Sequence, residues 1–284
     1  QPYHDNIYLN FTNQINPLTE NEKILGLEAG YSFTSKYFTV NINGYRTSWK
    51  DRVVTRSRVT TEDETFGSIV VPQGNEIFST NEGVEQLHSG IEFDFVAKPL
   101  PILDLRGFVS AGNWEYQGNA VTTLRDQDRN VLSVAEVDVD GGKVGDAAQF
   151  TAGFGFKYTI IERVSVDADW RFYDQLHANV GAVKDNLQLP DYHITDLGFS
   201  YKMLVGKDKR NSVNFRLNIN NLFDQSYLSE LRTNIKTTDR INPRSTTDFT
   251  TYEGEGRIYK GLADGNQGFL GLGTTWNAAI RYNF

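Results

Sequence analysis

With 284 residues, 39% of them hydrophobic, and a mean hydropathy of −0.46, the chain has the totals of an ordinary soluble protein. It nowhere carries the roughly 18 consecutive apolar residues a membrane helix needs, and a net charge of −8 argues against nucleic acid, which asks for a basic footprint. The absence of cysteine excludes disulfide scaffolds and cysteine metal sites and fits export through an oxidising compartment.

A strand that shows lipid only every second residue has a low mean hydropathy, so alternation and the 13% aromatic content are the useful signals. Residues 1–22, with Pro2, Pro17 and several Asn, read as an extracellular loop segment with a short extension over Ile7 to Phe11. From Lys23 to Phe33 the residues Leu25, Leu27, Ala29, Tyr31 and Phe33 share one face. After a turn at Thr34 and Ser35, Phe38, Val40 and Ile42 continue the oily row, which makes a hairpin. A second hairpin starts near Gly83, with Leu87, Ile91, Phe93 and Phe95 outward, and returns through Leu103, Leu105, Val109 and Ala111. Phe150 to Tyr158 and Val164 to Phe172 give the third, and the segments around Phe199 and Phe215 the fourth. The last residues, Gly268 to Phe284, alternate again and stop on an aromatic residue.

About nine strands result. Short turns follow every odd one, whereas long polar segments at about 51–82, 117–147, 174–191 and 226–267 follow the even ones. Short turns at one rim and long loops at the other are how outer-membrane barrels are built. The chain is thus predicted to be all-β, a transmembrane antiparallel β-barrel. A soluble β-sandwich is the competing reading, but its loops have no reason to alternate in length and its strands are usually about 5 to 6 residues. Bacterial barrels close with an even number of strands, so nine imply a preceding portion and a C-terminal part of something larger. Extra strands at Phe66 to Val71 or Val131 to Val139 would instead permit a complete smaller barrel, a porin or an outer-membrane enzyme.

Three segments then resemble, in order, the TonB-dependent outer-membrane transporters: GLEAGYSF at Gly26 to Phe33, GVEQLHSGIEFDF at Gly83 to Phe95 and NINNLFDQSYL at Asn218 to Leu228. The terminal aromatic is a fourth point, and GYRTSWKDRV at Gly44 to Val53 is similar to the strand-to-loop segment of the Bacteroidetes type. The resemblance implies a barrel of about 22 strands closed by a plug, of which this chain holds the C-terminal strands. It also implies active import of a scarce solute such as a siderophore, vitamin, peptide or glycan. Expected partners are the plug and remaining barrel of the same transporter, the TonB complex, a surface lipoprotein, and lipid or lipopolysaccharide against the outer face. Neither plug nor TonB box stands in these residues, so energy coupling comes from the resemblance alone.

Catalysis is not expected. His4, His88, His177 and His193 show no metal-ligand spacing, and His88 and the adjacent Ser89 point to opposite faces of their strand. Glu136 to Asp146 partly matches a calcium loop through Asp138, Asp140 and Asp146, but position twelve is Ala147, so a solvated acidic loop is the preferred reading, with no metal or cofactor. Glu92, Asp94, Asp104, Arg106, Asp167, Asp169, Arg171, Arg216 and Arg281 face the lumen, where internal ion pairing is expected. Solute contact is expected nearer the mouth, through the loop aromatics Trp49, Trp114, Tyr116 and Tyr252. Trp170 and Trp276 belong to the wall or its interfacial girdle.

Overall fold

The computed structural model describes residues 7–8, 13–16, 19–60, 62–243 and 245–284. His4, Pro2, Pro17 and most of the expected extension at Ile7 to Phe11 lie outside the described residues.

In chain order, β1 (Lys23–Thr34) and β2 (Phe38–Val59) lead to the small hairpin of β3 (Glu64–Phe66) and β4 (Ile69–Val71). β5 (Glu76–Leu100) and β6 (Leu103–Gln117) follow, then the hairpin of β7 (Asn119–Arg125) and β8 (Val131–Asp138). Next come β9 (Phe150–Ile161), β10 (Val164–Asp174), β11 (Tyr192–Val205) and β12 (Asn211–Asn220). The short pieces β13 (Leu228–Leu231), β14 (Ile258–Tyr259), β15 (Leu262–Ala263) and β16 (Gly268–Leu270) precede β17 (Thr275–Asn283).

The fold is an all-β barrel wall. Its sheet runs β1-β2-β5-β6-β9-β10-β11-β12-β17, every neighbouring pair antiparallel. Among the described residues β1 pairs only with β2 and β17 only with β12, so the sheet stays open. Among the described residues no second sheet is stacked on it, and its outward apolar row stands exposed, which removes the sandwich.

The short connections are made by local chemistry. At the first turn, Ser35 Oγ accepts from the amides of Tyr37 and Phe38 at 3.2 and 3.1 Å; at the last, Gly206 takes a φ of 86° that a side chain would resist. The outward row then reads Phe38, Val40, Ile42 on β2, Phe95, Phe93, Ile91 on β5 and Leu103 to Ala111 on β6. It gives way to Arg46, Ser89 and Asn113 at the same level. Roughly nine residues of each strand therefore show an oily exterior, enough for a tilted strand to cross hydrocarbon. Leu27 is 61% exposed and Ile280 72%; apolar rows of this extent need a non-aqueous neighbour. No helix among the described residues is long and apolar enough to cross a membrane.

β2 and β5 run further than alternation indicates, to Val59 and from Glu76. Register shifts between Trp49 and Arg52 and between Arg52 and Val54, with Asp51 at φ 59°, reverse the faces and end the period-two pattern there. Of the extra strands expected at 66–71 and 131–139, the first is instead the turn of the β3/β4 hairpin together with β4, while the second forms as β8, whose partner β7 joins the sheet on the upper part of β5 as a branch beside the nine-strand path.

The packed core lies outside the membrane band. Val84, Tyr116, Ala120, Val139 and Ala182 form one buried cluster and Leu176, Ala178, Leu189, Leu231 and Leu262 another. The long connections, read from sequence as polar loops, thus fold over one another into an outer layer. Asn179 N bonds Leu231 O at 2.7 Å, and the Asn186 amide donates to both Lys143 O and Ala178 O.

Candidate functional site on the inward face and at the mouth

The inward row of the wall is polar, and its charges meet across strands. Arg106 on β6 grips Asp169 on β10 with two hydrogen bonds of 2.9 and 2.5 Å, passing over Gly155 on the strand between them. Arg216 on β12 grips Asp167 on β10, its Nη2 at 2.7 Å from Oδ2, passing over Gly198 on β11. A third pair, Arg171 with Asp196, joins adjacent strands. Each long pair lies flat because the crossed residue has no side chain. A Cβ at Gly198 would stand 2.6 Å from Arg216 Cζ, and one at Gly155 would stand 2.9 Å from Arg106 Nε. Of the remaining expected lumen residues, Asp104 pairs with Lys98 at 3.2 Å and Asp94 accepts from Asn41 at 2.9 Å, while Glu92 and Arg281 lie within 4 Å of no opposite charge among the described residues.

Above the band, still on the inward face, aromatic rings gather. Trp114 on β6 stacks on His88 of β5 at 5.3 Å and 13°, and Trp49 meets the other side of His88 edge-on at 6.1 Å. Trp114 Nε1 donates to the Tyr45 hydroxyl at 2.9 Å. The Trp114 backbone is held by the buried Gln149 amide, which accepts from its N and donates to its O, each at 2.9 Å. Arg52 lies 5.0 Å over the Trp49 ring and donates to Gln86, which faces Tyr116 across the ladder. Among the described residues Trp49 Nε1 and His88 Nε2 are enclosed without a hydrogen-bond partner. Further round, Tyr173, Tyr192 and Tyr227 stack at 4.9 and 4.3 Å.

Three of the four expected mouth aromatics, Trp49, Trp114 and Tyr116, are therefore brought together, although only Trp49 and Trp114 adjoin His88 and Tyr116 is itself 5% exposed within the cluster of Val84 and Val139. Tyr252 is not. It is 8% exposed inside the 226–267 segment, with Arg257 5.2 Å over its ring. The sequence reading passed over Tyr45, Arg52 and the tyrosine stack, and placed His88 in the lumen without its stacking partners; the inward register of β2, β5 and β10 is the signal that finds them. Ser89 and His88 face opposite ways, as expected, with Ser89 Oγ 3.4 Å from Asn113 O.

In the acidic stretch two of the three candidate calcium carboxylates are engaged within the protein. Asp138 is engaged by Lys184 at 2.5 Å and by the Asp140 amide, while Asp140 takes the Gly118 amide at 2.9 Å. Lys184 and that amide together hold the Asp138 carboxyl below the usual range. No group of three potential metal ligands gathers among the described residues.

The family model described as TonB dependent receptor-like, beta-barrel, matches residues 2–222. The chain belongs to that family. TonB-dependent receptors are proteins of the bacterial outer membrane, transporters and receptors rather than enzymes, and the lipid-facing row of this receptor is the surface that residence requires. The ferric-catecholate import receptor Fiu of K12 E. coli, in its closed form, is 16% identical, with a TM-score of 0.52 over 92% of this chain and 28% of Fiu. A ferric enterobactin receptor, PfeA, from Pseudomonas aeruginosa is 15% identical, with a TM-score of 0.49 over 91% of this chain and 31% of its own. At such identities the likeness to Fiu concerns the fold alone, and this receptor chain spans less than a third of Fiu. No curated protein matches the sequence.

Proposed function

We propose that this chain forms wall, lumen lining and outer mouth of a TonB-dependent transporter that imports a scarce solute, too large for porins, across the outer membrane. The observation that carries the reading is the family match over residues 2–222, joined to a wall whose two end strands lack second partners among the described residues. A plug and further strands of the same transporter would complete the ring, and TonB would supply energy from the inner membrane. Segments 51–82, 117–147, 174–191 and 226–267 would be the extracellular capture loops. Solute would first meet Trp49, His88 and Trp114, whose ring faces suit a ligand presenting a flat face. A siderophore, vitamin, peptide or glycan each fits that description. The Bacteroidetes-type segment at Gly44 to Val53 adds a surface lipoprotein as the expected companion of the mouth.

The test is uptake of labelled candidate solutes by cells carrying the whole transporter, with and without a protonophore. Uptake lost with the proton gradient supports the reading. Uptake indifferent to it, and linear in external solute, would establish a passive porin instead.

A further inference from the structure

Above the oily band the sheet branches and ends on a strand edge that no described residue covers. There β5, from Phe78 to Glu82, takes β7 as its neighbour, and β7 takes β8. β8 pairs with β7 alone, so on its far side the backbone N–H and C=O groups of alternate residues have no partner among the described residues. The strand has 8 residues, a reach of about 27 Å, and Val131, Val134 and Val137 on it all stand exposed. Natural edges are blunted by lysine, proline or a bulge. β8 contains neither residue, and from Ser133 to Asp138 its register against β7 is regular. The opposite edge of the same extension is treated differently. β2 carries Arg56 and Arg58 there, bonded to Asn179 and to Glu64.

An open edge of this length fits a polypeptide in extended form, whose main chain continues the ladder while its alternate side chains meet those of β8. Charge selects among such polypeptides. Asp126, Asp128, Glu136, Asp138 and Asp140 border the edge against Arg125, Arg129 and Lys184, and of these cations Arg125 is buried and Lys184 is taken up by Asp138. Glu136 stands exposed in mid-strand, accepts from the Asn119 amide at 2.7 Å and has no cation within 4 Å among the described residues. A lysine or arginine on the added strand would complete a cross-strand pair with it. A second copy of the chain does not fit. Two receptors in one membrane are related by an axis along the membrane normal, which sets the two β8 strands parallel or crossed, never antiparallel with donors opposite acceptors. We propose that the edge of β8 binds an extended, basic segment of another polypeptide by strand addition. The surface lies apart from Trp49, His88 and Trp114, and the proposal goes beyond import, since no step of transport is needed for it.

The experiment uses the full receptor in detergent micelles and fluorescently labelled peptides of about nine residues, the reach of β8, alternating Thr and Val and carrying either two Lys or two Glu. Anisotropy titration is expected to show saturable binding of the Lys peptide, with the Glu peptide at least about five-fold weaker. Glu136→Lys should reverse that order, with barrel folding checked by heat-dependent gel mobility. Glu136→Gln, which should narrow the difference between the two peptides, serves if the lysine variant fails to assemble. Methylating the amides of alternate peptide residues should weaken binding about ten-fold or more in one of the two registers and leave the other within about two-fold, because only one set of N–H groups points at β8. No saturable binding up to about 1 mM overturns the proposal, and an edge already paired by another segment of the intact receptor would give that result. Equal loss in both methylation registers, a peptide order indifferent to position 136, or binding that disappears in Trp114→Ala and so belongs to the mouth overturns it as well.

Discussion

Alanine at Gly198 should destabilise the wall, although alanine in a strand is ordinarily an improvement on glycine. The usual gain is about 0.4–1 kcal/mol, from the lower entropy of the unfolded chain and the better strand propensity. At Gly44, where an added Cβ would meet nothing nearer than 4.0 Å, only that gain applies. At Gly198 the same methyl would stand 2.6 Å from Arg216 Cζ and closer still to its Nη2 and to Asp167 Oδ2, so the paired side chains must move. The guanidinium must lift, and its two bonds to Asp167 stretch or break. A hydrogen bond to a charged group contributes about 1.5–3 kcal/mol, but the Arg216 side chain is 35% exposed and water recovers part of the loss. A net cost of about 1–3 kcal/mol follows, opposite in sign to the Gly44 effect.

Urea titration of the intact receptor in detergent micelles, followed by loss of heat-dependent gel mobility, measures both variants on one scale. Gly44→Ala should move the midpoint up slightly and Gly198→Ala should move it down. In an Arg216→Ala background the Gly198→Ala cost should vanish, because the space is then free. Equal midpoints for the two single variants, or a Gly198→Ala cost that persists without Arg216, would show that the ion pair does not need the bare strand beneath it.

Other expectations concern the outer layer and the mouth. Burial, then the charge of Lys143, pushes the His177 imidazole below its ordinary value; the unfolded segment binds the proton more readily, so stability present above about 6.5 is lost as pH falls below it. Protection factors over 175–191, taken relative to the intrinsic exchange rate at each pH, should therefore fall between pH 7.5 and 5.5 while those of the wall hold, and His177→Gln should flatten that dependence. At Gly145 an added Cβ would stand 2.6 Å from the backbone carbon of Ala178, so Gly145→Ala should raise exchange over 175–191 by ten-fold or more, about 1.4 kcal/mol. Trp114→Ala removes the ring stacked on His88 and the bond to Tyr45, and under the transport reading should weaken solute binding by about ten-fold or more in titration calorimetry, with barrel folding unchanged.

The wall was legible because one physical rule repeats along it. Phe150, Ala152, Phe154, Phe156 and Tyr158 can alternate with Thr151, Gly153, Gly155 and Lys157 only if two different solvents lie on the two sides, and the same alternation marks every strand of the sheet. The inward charges were legible one by one. Their pairing was not, because Arg106 and Asp169 are 63 residues apart and meet only after β9 is set between them in one register. Gly155 and Gly198 looked like ordinary polar-face positions; their meaning appears only when a side chain is laid across them.

The outer layer was illegible for a different reason. Leu176, Ala178, Leu189, Leu231 and Leu262 come from separate segments, with no shared period for a one-dimensional reading to detect. Their contacts are made by single residues in irregular backbone held by carbonyl and amide bonds, as where Asn234 receives the Leu187 amide at 2.9 Å and donates to Asp185 O at 2.8 Å. Such bonds need no particular residue upstream or downstream, only a neighbour at the right height above the wall. Tyr252 fell to the same limit. A tyrosine in a long polar segment has the same neighbours in sequence whether it stands free or packs inside its own loop, and the arginine lying over its ring and the glycine beside its hydroxyl come only from the fold. Trp49 and Trp114 escaped it because they sit on strand extensions, where the wall's alternation still says which way a side chain points.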